Sequence, residues 1–167
     1  MARVYLSIGS NIEPEKYVRG SIAQIRQHFS NVTVSNVYES VAVGFEGENF
    51  LNLAVGFDTD MSLQSLAKLL RKIENQNGRK RHREGGYDSR TLDVDILIYG
   101  DLAGTFDGIE LPRSEIANRG FVILPLADLI PDWEFPAIFS GKLGEFRDRY
   151  NSDENPLWAV EFDWQAD

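Results

Sequence analysis

Two aspartates one residue apart, Asp93 and Asp95, stand in the run Arg90-Thr91-Leu92-Asp93-Val94-Asp95-Ile96-Leu97-Ile98-Tyr99-Gly100. Residues 92–99 are rich in branched apolar side chains and close on a glycine, the composition of a β-strand. Side chains alternate along a strand, so both carboxylates point one way, and Leu92, Val94, Ile96 and Ile98 face the core on the other side. Paired carboxylates on a buried strand repel each other, and desolvation adds to the cost of ionising both. A hard divalent cation such as Mg²⁺ would relieve that cost. The plainer alternative is a solvent-facing strand end whose aspartates pair with nearby arginines.

The same chain carries parts suited to phosphate. Arg79, Arg81, Arg83 and Arg90 cluster around 79–90, and Arg113 and Arg119 follow later. A guanidinium fork suits bidentate phosphate contacts. No G-x-x-x-x-G-K-[ST] and no strand-linked G-x-G-x-x-G is present, so a bound nucleotide would be held by side chains and metal. Phosphoryl-type transfer asks the protein mainly to position groups and neutralise charge, so carboxylates, a metal and arginines are sufficient equipment. Taken singly, each part has an ordinary reading. The basic run suits a solvated loop, Phe50 and Phe121 suit a core, and Glu74 suits a solvated helix end. Asn52, inside an apolar strand, is odder, because a buried amide needs partners. The two histidines, His28 and His82, have no local partners suggesting catalysis, and neither a G-x-S-x-G elbow nor zinc-ligand spacing occurs.

The surrounding elements follow from periodicity. Residues 4–8 form a short strand, with Gly9-Ser10-Asn11 as a tight turn. Pro14 opens a helix whose apolar stripe is Val18, Ile22, Ile25 and Phe29. Residues 32–38 alternate as a second strand, 41–49 form a loop, and 50–57 form a third strand. Ser62 caps a helix with the stripe Leu63, Leu66, Leu70 and Ile73, which Gly78 stops. The segment 79–89 reads as a loop before the double-aspartate strand. Beyond Gly100 come a short hairpin or irregular excursion at 102–111, an apolar helix to 129 ended by Pro131, a helix toward 150 and an edge strand in 158–164. The order strand–helix–strand–strand–helix–strand is the split βαβ, ferredoxin-like pattern, an α+β fold with a mostly antiparallel sheet and helices packed on one face.

Composition narrows the class. The chain of 167 residues suits a single domain spanning 1–167, with no repeat, linker or low-complexity segment. A net charge of −9 argues against general nucleic-acid binding. The absence of cysteine excludes disulfides and a thiolate nucleophile. With no h-region at the start and no apolar run of membrane-spanning length, the expectation is a soluble cytoplasmic protein without a membrane partner.

Assembled, these residues resemble the 6-hydroxymethyl-7,8-dihydropterin pyrophosphokinases of folate biosynthesis. The landmarks run from the first strand to about Ile130. They are Leu6-Ser7-Ile8-Gly9-Ser10-Asn11, Phe50-Leu51-Asn52, Ile73-Glu74 with Gly78-Arg79, Arg90 through Asp95, and Asn118-Arg119-Gly120-Phe121. The resemblance implies transfer of pyrophosphate from ATP, as co-substrate, to the hydroxymethyl group of the pterin, with release of AMP. It implies that Asp93 and Asp95 hold two Mg²⁺ ions and act with Arg79 and Arg90 in catalysis, Asp93 also lying against the substrate. Phe50 and Phe121 would sandwich the pterin, Asn52 would bond its polar edge, and Gly44 would lie on the pterin side. Glu74, Arg81, Arg90, Arg113 and Arg119 would serve the nucleotide site, in a monomer. This chain departs from the pattern in three places. Gly86-Tyr87-Asp88-Ser89 replaces the usual Arg-Trp-Gly-Pro, Pro112-Arg113 replaces Pro-His, and Val41-Ala42-Val43-Gly44 replaces a proline-rich loop. Two other readings use the same residues: a pterin-binding paralogue with weak or no transfer, and a kinase acting on another heterocycle.

Overall fold

A computed structural model describes residues 1–41, 48–78, 91–150 and 156–165. Its elements in chain order are β1 (Ala2–Ser10), α1 (Pro14–His28), β2 (Ser30–Val34), β3 (Val37–Ser40), β4 (Phe50–Thr59), α2 (Leu63–Gln76), β5 (Asp93–Tyr99), β6 (Gly104–Phe106), β7 (Ile109–Leu111), a 3-10 turn (Ser114–Ala117), α3 (Gly120–Leu129), α4 (Leu143–Arg149) and β8 (Leu157–Val160). Among the described residues the main sheet is antiparallel throughout, in the order β5-β1-β4-β3-β8, with β2 also paired to β4. Taking β2 and β3 together as the second strand gives the expected βαββαβ arrangement, to which β8 adds an outer edge. A separate hairpin joins β6 to β7. Among the described residues no helix is long and apolar enough to cross a membrane.

The helical stripes do what their spacing requires. Val18, Ile22 and Ile25 of α1 and Leu63, Leu66, Leu70 and Ile73 of α2 pack with Leu6, Ile8, Leu53, Val55 and Phe57 into one core. The Ser62 hydroxyl accepts the Ser65 N–H at 3.1 Å, a cap of about 1 kcal/mol. Gly78, at φ 78°, follows the helix end in the left-handed region.

Four expectations are corrected. The helices do not share one face: α3 and α4 lie on the other side of the sheet, where Val122, Leu126, Ala127 and Leu143 pack with Leu97 and Ile98 in a second core. The second strand is broken at Ser35. Its N–H donates to the Ala54 carbonyl at 3.0 Å while its hydroxyl accepts the Ala54 N–H at 2.8 Å, so the side chain takes over one rung of the ladder. β1 continues through Gly9 and Ser10, paired to β4 as far as Ser10, where a turn was expected. Ile98 leaves the face of Leu92 because the register shifts: Tyr5 pairs with Ile98 but Leu6 pairs with Ile96, a bulge that skips Leu97. The loops expected at 41–49 and 79–89 lie largely outside the described residues.

Candidate active site

Cross-strand register assembles the site. Gly9 of β1 stands opposite Asp93 on one side and Asn52 on the other, and Ser7 stands between Asp95 and Ala54. Side chains of neighbouring strands at paired positions share a face, so Asp93, Gly9 and Asn52 form one row across the sheet and Asp95, Ser7 and Ala54 the next. Gly9 leaves the middle of the first row without a side chain. A Cβ there would stand 3.2 Å from Asn52 Oδ1 and 3.8 Å from the Phe50 ring. The result is a flat floor between a carboxylate and an amide, with an aromatic ring beside it.

Asn52 is 4% exposed, and its Nδ2 donates to Ser40 Oγ at 2.7 Å, which orients the amide on this face. The partner that a buried amide demands is therefore a hydroxyl on β3, separated from the aspartate strand by β1 and β4. Phe50, half-buried, opens β4 next to it.

Asp95 feels several charges at once. Burial and then the neighbouring Asp93 push its carboxyl up to about 7, with Glu115 and Glu74 adding and Arg113 opposing. About a third of its side-chain surface is nevertheless exposed. Arg113 holds it from one side, Nη2 lying 3.7 Å from Asp95 Oδ1, while Arg113 Nε donates to Glu115 Oε1 at 2.6 Å. The Arg113 N–H donates to the Leu97 carbonyl at 2.9 Å, which fixes this segment along the free edge of β5. The arginine that stands in place of the family's usual histidine thus reaches the second aspartate directly. Glu115 was not singled out from sequence. Its signal was the Arg-x-Glu spacing, which brings two opposite charges together only once the 3-10 turn forms.

Glu74 is not the solvated carboxylate of a helix end. It is 3% exposed, and its Oε2 accepts the Val94 N–H at 2.9 Å. One carboxylate thereby ties α2 to the outer edge of β5, at the residue between the two aspartates. Ser10 makes a matching tie, its hydroxyl donating to the Thr91 carbonyl at 2.6 Å.

Arg119 is exposed at the start of α3, and Phe121, in its first turn, is half-buried against the second core. Asp93, Asp95, Asn52, Phe50, Glu74 and Arg113 come from β4, β5, the end of α2 and the segment after β7, while Arg119 and Phe121 stand on the second helical layer. Gly44, Arg79, Arg81 and Arg90 lie outside the described residues. Among those described, no cluster of three or more His, Asp or Glu side chains is placed to hold a metal by itself. A pair of carboxylates suits Mg²⁺, which keeps waters and substrate oxygens among its ligands. Asp93 and Asp95 fit such an ion because their mutual repulsion is what a cation would offset.

The family model of 7,8-dihydro-6-hydroxymethylpterin-pyrophosphokinase matches residues 5–131. The 2-amino-4-hydroxy-6-hydroxymethyldihydropteridine pyrophosphokinase of Aquifex aeolicus is 34% identical over 149 residues, covering 88% of this chain and 91% of that one. The enzyme of the same name from Bacillus subtilis is 37% identical over 129 residues, covering 75% and 76%. The Haemophilus influenzae enzyme is 32% identical over 163 residues, covering 93% of this chain and 100% of its own. Among solved structures, Plasmodium falciparum HPPK-DHPS wild type with pteroate superposes with a TM-score of 0.71 at 12% identity, a likeness of fold. The chain covers 42% of that longer protein, and 89% of its own length takes part. With the match running from β1 through β5 and α3, and including both aspartates, this chain belongs to the 7,8-dihydro-6-hydroxymethylpterin-pyrophosphokinase family.

Proposed function

We propose that this chain transfers the β,γ-pyrophosphate of ATP to the hydroxymethyl group of 6-hydroxymethyl-7,8-dihydropterin in folate biosynthesis, releasing AMP. The observation that carries the reading is the row Asp93–Gly9–Asn52, with Asp95 beside it, in a chain of this family. A carboxylate pair lies one bare strand from a buried amide, so a polar heterocycle lying on Gly9 would present its substituent to the carboxylates.

Each residue then has a role that its chemistry permits. The Asn52 amide bonds the polar edge of the heterocycle. Phe50 and Phe121 supply aromatic faces for stacking, worth about 1 kcal/mol beyond buried area. Asp93 and Asp95 hold Mg²⁺, which neutralises triphosphate charge when bound. Arg113, anchored through Nε by Glu115, keeps its terminal nitrogens for the aspartate and an incoming phosphate. Arg119, with Arg79, Arg81 and Arg90, would add phosphate contacts, and Glu74 holds α2 against the strand that carries the aspartates. The pterin hydroxyl gives its proton to water as its oxygen forms a bond to the β-phosphorus and the bridge from the α-phosphate breaks, and the electron pair leaves with AMP.

The test is a product assay with ATP, Mg²⁺ and the hydroxymethyl pterin that separates AMP from ADP. One AMP per pyrophosphorylated pterin is the expected result. Pterin binding without AMP would identify a binding paralogue, and ADP would identify a kinase of another type.

A further inference from the structure

We infer that Tyr150, beyond the residues that the family model matches, is a positioning residue for the turn that carries Arg119 and Phe121. This inference rests on the proposed function. The family match ends at residue 131, and Tyr150 comes 19 residues later, directly after α4. Its hydroxyl accepts the Gly120 N–H at 3.2 Å. This N–H belongs to the first residue of α3, one of the donors that a helix start leaves without an intrahelical partner. The Arg119 side chain, at the cap position, makes no capping hydrogen bond, so the Tyr150 hydroxyl takes that place.

The ring matters as much as the hydroxyl. A Cβ on Gly120 would stand 2.7 Å from Tyr150 Cε1 and 2.9 Å from its Cζ and Oη, so the backbone lies flat against the phenol. Gly120 itself is buried. This accounts for the glycine between Arg119 and Phe121: any larger residue would push α3 off the ring. The tail is in turn anchored, because Phe146 of α4 packs on Phe139 in the second core and the Arg147 guanidinium lies 3.9 Å from Asp128 of α3. Tyr38 extends the same anchor, donating to the other Asp128 oxygen at 2.7 Å. The last turn of α3 is therefore tied to β3 and α4 through Asp128, while Tyr150 seats its first turn. A shift of that turn moves Phe121 relative to the floor at Gly9 while leaving Asp93 and Asp95 on β5 undisturbed.

The experiment measures pterin dissociation constants by calorimetry with Mg²⁺ and a non-hydrolysable ATP analogue, alongside kcat and KM. Tyr150→Phe removes one hydrogen bond and should weaken pterin binding about three- to tenfold, with kcat at saturating pterin nearly unchanged. Tyr150→Ala should weaken it further. The deciding readout is the double variant: Tyr150→Ala should cost little in a Phe121→Ala background and its full amount in an Asn52→Ala background. Full additivity with Phe121→Ala, an effect confined to kcat, or wild-type binding by the variants would overturn the inference. Tyr150→Phe keeps the packing, so it decides the matter even where Tyr150→Ala does not fold. A wild-type chain that neither binds the pterin nor makes AMP would overturn the proposed function itself, which is a separate result from an active wild type with unaffected Tyr150 variants.

Discussion

One face of the sheet serves two purposes, and β5 runs through both. At the end reached by Ile98, the strand meets Leu126, Leu143 and Phe139 in a packed apolar layer. At the other end it carries Asp93 and Asp95 beside Ser7, Gly9 and Asn52. The bulge at Leu97 marks the change, turning both Leu97 and Ile98 into the second core within two residues. The packed end gains by excluding water from large side chains. The polar end accepts the cost of crowded carboxylates and a bare glycine, a pattern expected where a site, not stability, sets the residues.

Substitutions at the two ends should therefore separate activity from stability. The largest effect is expected at the polar end: Asp95→Ala should lower turnover by about a thousandfold or more, with the circular dichroism spectrum retained and the melting temperature not lowered. Near-normal turnover by that variant would remove the metal assignment. At the packed end, Leu126 is fully buried. Leu126→Ala should cost about 2–4 kcal/mol in denaturant unfolding with little change in pterin affinity, which calorimetry on the folded protein would check. Phe121→Ala touches both ends. It should weaken pterin binding about ten- to a hundredfold and ATP binding much less, whereas equal losses would argue against stacking.

The smallest effect should be the most telling about the aspartate pair. The Asp95 carboxyl is raised to about 7, so the metal-free folded protein keeps a proton there that the unfolded chain has already released. Folding stability should then fall as pH rises from about 4 toward about 7, because ionisation is harder in the folded state. Asp95→Asn removes that cost. It should gain about 1–2 kcal/mol over the wild type near neutral pH, the shift being discounted for solvent screening of the exposed third of the side chain. The gain should shrink as the pH approaches about 4. Added Mg²⁺ should reverse the order, since only the wild type keeps both carboxylates for it; thermal melts with and without the ion would show this.

Much of this is legible in the sequence alone, for a simple reason. Period-two alternation is local, so it placed Asp93 and Asp95 on one face. Period 3.6 is local too, so it found the stripes of α1 and α2, and the cap at Ser62 needed only its own first turn. Motif order from Leu6 to Phe121 identified the family, which the matches to known pyrophosphokinases bear out. Tertiary structure alone decided which strands lie side by side, and with that the row Asp93–Gly9–Asn52. Register between β1 and β5 created the bulge that moved Ile98, and the Ser35 rung divided the second strand, because both depend on a partner strand far away in sequence. Burial of Glu74 followed from α2 docking on the edge of β5, so a carboxylate that reads as solvated became a tie to the Val94 N–H. The pairing of Arg113 with Asp95, and the seating of Gly120 against Tyr150, join segments that no periodicity connects. Spacing along the chain sets which way a side chain points, and only packing sets what it meets.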